Sequence, residues 1–146
     1  MNKNLLFCAL LFSMTACQQN DEIQPNSSSL AGEVVGSYQT NLYIDPSYAA
    51  TPTDKMPSAE LKAESDSTVT LIYTRLYPAR EVKQLAHVGL IRQAEAVQLR
   101  IADSSIGSFQ TDRVFTNNGM EKQGKVLRIA LQQGEQDLIY FTGHRK

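Results

Sequence analysis

The strongest constraint on this chain is an apolar–polar alternation of period two that recurs in short runs over residues 32–146. Val69, Leu71 and Tyr73 share one face of such a run while threonines crowd the other. Val97, Leu99 and Ile101 alternate with Gln98, Arg100 and Ala102, and Leu127, Ile129 and Leu131 alternate with Arg128, Ala130 and Gln132. Successive side chains of a β-strand point to opposite faces, so this spacing buries one face and leaves the other wet. Turn clusters at Ser65-Asp66-Ser67, Asp103-Ser104-Ser105, Asn117-Asn118-Gly119 and Gln133-Gly134-Glu135 separate the runs. The pattern predicts strands near 34–44, 59–64, 68–77, 83–92, 96–102, 106–116, 124–132 and 137–144. Residues 79–94 are rich in helix formers, but Gly89 and the apolar run from Val88 to Ile91 favour a strand there. The short connections suit antiparallel neighbours, because a parallel crossover needs a dozen residues or more. The expectation is therefore an all-β, antiparallel up-and-down meander of eight strands closing into a small barrel. Such a barrel is either filled by its own side chains or just able to hold one small ligand.

Composition narrows the function classes. At 146 residues, 42% hydrophobic and 20% charged, the chain holds one globular domain and is not a multi-pass membrane protein. A formal charge of −1 argues against nucleic acid as a partner, which would call for a basic excess.

The first residues read as an address. Lys3, the apolar run Leu5 to Phe12, and the small residues Thr15 and Ala16 make residues 1–16 a signal peptide. The run is too short to span a bilayer as a helix. Met14-Thr15-Ala16-Cys17 resembles the bacterial lipobox, which implies that Cys17 is lipidated and becomes the mature N-terminus. Cleavage also removes Cys8 and Lys3, leaving no free thiol and moving the formal charge to −2. Residues 17–31 are dominated by Gln, Asn, Ser and Pro and read as a lipidated terminus and flexible tether ahead of a domain at 32–146. Gln18 is not the aspartate that retains some lipoproteins in the inner membrane, so the resemblance implies the outer membrane, facing the periplasm or the surface.

Gly36-Ser37-Tyr38 on the first strand, and a last strand ending Phe141-Thr142-Gly143-His144-Arg145, resemble the ends of calycin-type barrels, including the lipocalin-like domains of bacterial lipoproteins. In that superfamily a Gly-x-Trp on the first strand packs near a basic residue late in the chain. Here Tyr38 stands in place of the tryptophan.

No motif points to an enzyme: GxSxG, HExxH, P-loop and dinucleotide-binding patterns are all missing. His87 and His144 are distant from each other and no cysteine remains beside them, so neither a metal site nor a cofactor is expected. Arg75 shares parity with Tyr73, and Arg113 with Phe109. If those faces point inward, Arg75 and Arg113 could hold the polar end of a small amphipathic ligand against a wall of Tyr38, Tyr73 and Phe109. The alternative, preferred because long cations usually reach water, places both arginines at the rims. The loop Asp45 to Ser58 suits either a lid or a surface insertion. Two readings stay open: a lipid-anchored module binding a small ligand or an envelope protein, and a structural or accessory lipoprotein with a filled barrel.

Overall fold

A computed structural model describes residues 28–134 and 137–146. It contains a short helix α1 (Leu30–Val34) followed by β1 (Gly36–Gln39), β2 (Ser58–Ala63), β3 (Thr68–Arg75) and β4 (Glu81–Gln93). The second half adds β5 (Ala96–Ile101), β6 (Ser104–Phe115), β7 (Glu121–Gln133) and β8 (Asp137–Arg145). Every strand pairs antiparallel with the next, and β8 pairs with β1, closing the barrel. The eight-stranded meander read from the alternation is the observed fold, including β4 across the helix-rich stretch.

Inward positions follow the period-two pattern. Leu61, Val69, Leu71, Val97, Leu99, Phe109, Leu127 and Phe141 are at most 1% exposed. Polar neighbours such as Gln98, Arg128 and Thr142 fall on the opposite face. Burying a Leu or Phe side chain contributes roughly 1.5–3 kcal/mol, so this interior supplies most of the drive to close the sheet.

Most strand ends fall within three residues of expectation, and two differences are informative. The first strand, predicted over 34–44, ends at Gln39 because Asn41 turns the chain: its Oδ1 accepts from Tyr43 and Ile44 N–H, while its Nδ2 donates to Phe115 O. The residues that follow hold two 3₁₀ turns, at Pro46–Tyr48 and Thr53–Lys55. The other difference is at the start of the folded body. Ser29 caps α1 by accepting from Gly32 N–H, and Ala31 and Val34 are fully buried. Leu30 and Ala31, placed by composition in the tether, thus belong to the folded domain.

β1 begins beside α1, so the even-numbered strands run towards the α1 end and the odd-numbered strands away from it. Two irregularities shape the wall. The β3–β4 register shifts between Val69 and Leu71, where His87 adopts φ +58°. The β5–β6 register shifts between Leu99 and Arg100, opposite Gly107.

Candidate functional site

The α1 end is closed by a network of charge and aromatic faces. Tyr38, fully buried on β1, donates its hydroxyl to Val34 O of α1. Arg145, the last residue of β8, donates through Nη2 to Glu33 O and to Tyr38 Oη, the latter at 3.0 Å. Its guanidinium stands 5.6 Å from the Tyr38 ring centroid and 5.1 Å from that of Phe109. Both are cation–π distances. The Glu33 carboxylate takes Arg92 from β4 and, at 3.9 Å, Lys125 from β7. The hydrogen bond from Arg92 holds the Glu33 carboxyl below the usual carboxylate range, and burial pushes the Tyr38 phenol up despite Arg145. A five-residue helix has little stability of its own. Here it is tied to β1, β4, β7 and β8 at once.

The aromatic residues proposed as a ligand wall are packed against one another. Tyr38 and Phe109 meet edge-to-face with ring centroids 6.1 Å apart, and Tyr73 meets Phe141 in the same way at 6.1 Å. Tyr48, from the first long loop, donates its hydroxyl to Tyr140 O and lies close enough to Tyr73 for that phenol to help burial raise the Tyr48 pKa. The loop is therefore docked on the body. At the end opposite α1 a crevice of 210 Å³ lies between Leu85, Leu131 and Ile139, with Lys83 on its border.

The two arginines are not brought together. Arg75 ends β3, far from α1, and pairs with Glu81. Arg113 lies near the α1 end of β6, is 70% exposed along its side chain, and sits 3.7 Å from Glu121. Both therefore lie in solvent with their own carboxylates, as rim positions allow. Cys17 lies outside the described residues.

Sequence reasoning overlooked Glu33. The available signal was Ser29 ahead of Leu30, Ala31 and Val34, a cap followed by helical i, i+3 and i+4 spacing. On the outer face, Val114, Val126 and His144 are buried beside the docked segment after β1. Burial, with Lys122 nearby, lowers the pKa of His144. Among the described residues no group of His, Cys, Asp and Glu side chains could hold a metal ion, and no helix is long and apolar enough to cross a membrane.

The outer wall of β5–β8 carries an open groove of 360 Å³. Its floor includes Gly107, Ser108 and Ala130, and its sides are formed by Gln98, Arg128 and Tyr140 among others. Searches with this chain against protein-family models, curated proteins and solved structures find no match.

Proposed function

We propose that this chain is an envelope lipoprotein, anchored in the outer membrane through lipid on Cys17, whose filled barrel acts by its outer surface as a structural or accessory module. The observation that carries the filled-barrel part is the occupied interior: Tyr38, Phe109, Phe141, Leu71, Leu99 and Leu127 are all fully buried and in one contiguous core. The crevice at the far end holds 210 Å³, below the roughly 300–1,000 Å³ of small-molecule pockets. Arg145 stacked on Tyr38 supports a calycin-like reading, since it matches the pairing of first strand and late basic residue that the resemblance implies. The anchor reading rests on residues 1–17. It fits the entry of the chain at the α1 end, which would then face the membrane.

Two measurements test this. Metabolic labelling with an alkyne fatty acid should mark the wild-type protein and leave Cys17→Ala unlabelled and released from membranes; equal labelling of both would refute the anchor. Native mass spectrometry of the full-length protein in detergent should show the bare polypeptide plus its anchor. A retained small molecule that Leu85→Trp or Leu131→Trp expels would instead establish a ligand at the crevice.

A further inference from the structure

The outer groove has a chemistry that the barrel's stability does not require. Gln98, Ser108, Arg128 and Thr142 are successive cross-strand partners on β5, β6, β7 and β8, so they form one row across four strands. Their inward neighbours Leu99, Phe109, Leu127 and Phe141 fill the core, which fixes the row on the outer face. At a strand spacing of ~4.8 Å the row presents one hydrogen-bonding side chain about every length of a pyranose ring, over roughly 14 Å.

The groove is pre-formed. Arg128 leans along the sheet to Asp112, with Nη2 and Oδ2 2.6 Å apart, and Asp112 is held in turn by Arg113 N–H. This bond fixes the Arg128 guanidinium where it lines the groove with Ser108 and Ala130. The Gly107 backbone, which lines the groove, runs so close to β7 that a Cβ would stand 2.2 Å from Arg128 O. Tyr140, 58% exposed, supplies an aromatic ring on one side.

We propose that this groove binds a neutral, hydroxyl-rich glycan chain. Amide, hydroxyl and guanidinium groups beside an exposed tyrosine ring match alternating sugar hydroxyls and C–H faces. Other occupants fit less well. On β5, β6 and β7 the backbone of the row is paired with a strand on both sides, which leaves nothing there for an added peptide strand. The one guanidinium in the row is balanced by Asp112, so the groove lacks the cations a nucleic acid needs. The proposal rests on the reading that the barrel works through its outer surface.

The test is native electrophoresis of the full-length protein, in a detergent without a sugar headgroup, through gels containing dextran, starch, xylan or galactomannan. Dextran sulfate serves as the anionic control. At least one neutral polysaccharide should retard the wild type. Tyr140→Ala and Gln98→Ala should weaken that affinity at least tenfold, and Ser108→Trp should abolish it, with circular dichroism unchanged in at least Tyr140→Ala, at an exposed side chain, and Gln98→Ala, at a half-buried one on the outer face. Retardation by none of the four, retardation by dextran sulfate alone, or equal retardation of wild type and Tyr140→Ala would each overturn the proposal. Such a failure would leave the filled interior untouched, because native mass spectrometry decides that separately.

Discussion

Replacing Arg145 with Met removes the clasp at the α1 end while keeping most of the side-chain volume. Two hydrogen bonds disappear, to Glu33 O and Tyr38 Oη, along with a cation between two aromatic rings. Hydrogen bonds involving a charged group contribute about 1.5–3 kcal/mol each, and a partly desolvated cation–π contact about 1–2. These terms are not additive, and the half-buried site lets water replace one hydrogen bond. Met also regains some apolar packing against Phe109. The net expectation is a loss of about 2–4 kcal/mol, which lowers Tm by roughly 8–20 °C for a domain of this size. Arg145→Lys keeps the charge but loses the planar fork, and should recover less than half of the loss. Thermal and urea denaturation measure both variants. Hydrogen exchange locates the effect: the Val35 amide, bonded to Ala31 O, should lose protection before the β6–β7 ladder does. An Arg145→Met protein within about 0.5 kcal/mol of wild type, with Val35 still protected, would refute the clasp.

Further outcomes follow from the same geometry. Gly107→Ala forces a Cβ to within 2.2 Å of the Arg128 carbonyl oxygen, and should cost about 1–3 kcal/mol in urea denaturation; Gly134→Ala meets no neighbour and should cost only the ~1 kcal/mol of its left-handed backbone. Because the folded state lowers the pKa of His144, the unfolded chain binds more protons near that value. The contribution of His144 is complete above about pH 6.5 and is lost as pH falls below it, so His144→Gln should flatten the pH dependence of stability on the acid side of that value. The carboxylates of Glu33 and Asp112, both lowered by arginine partners, add their own acid loss only below the ordinary carboxylate range. Arg75→Met and Arg113→Met, each removing an exposed ion pair, should move Tm by less than about 3 °C, and a larger drop would contradict the rim assignment.

How much of this was legible beforehand depends on the range of the interaction involved. β4 was readable although helix formers fill it, because Val88 and Leu90 keep the inward parity that a strand demands. β1 was overextended because its end is set by Asn41 bonding Phe115, a partner 74 residues away. The inward parity of Arg75 and Arg113 was sound as a pattern, yet parity says nothing about position along the barrel axis, and both side chains lie close enough to an end to escape.

The sequence by itself determined the eight strands, their order and most of the residues that fill the core. Alternation and turn chemistry are local, and short connections leave an antiparallel meander as the economical arrangement. It also carries the whole case for the address at Cys17. Only the tertiary structure decided that the interior is filled, that Glu33 and Arg145 clasp one end, and that Gln98, Ser108, Arg128 and Thr142 stand in one row. Those features arise from register and closure, which bring together residues up to 112 positions apart. No local pattern encodes such a distance, because it is set by how far each strand slides against the next when the barrel shuts.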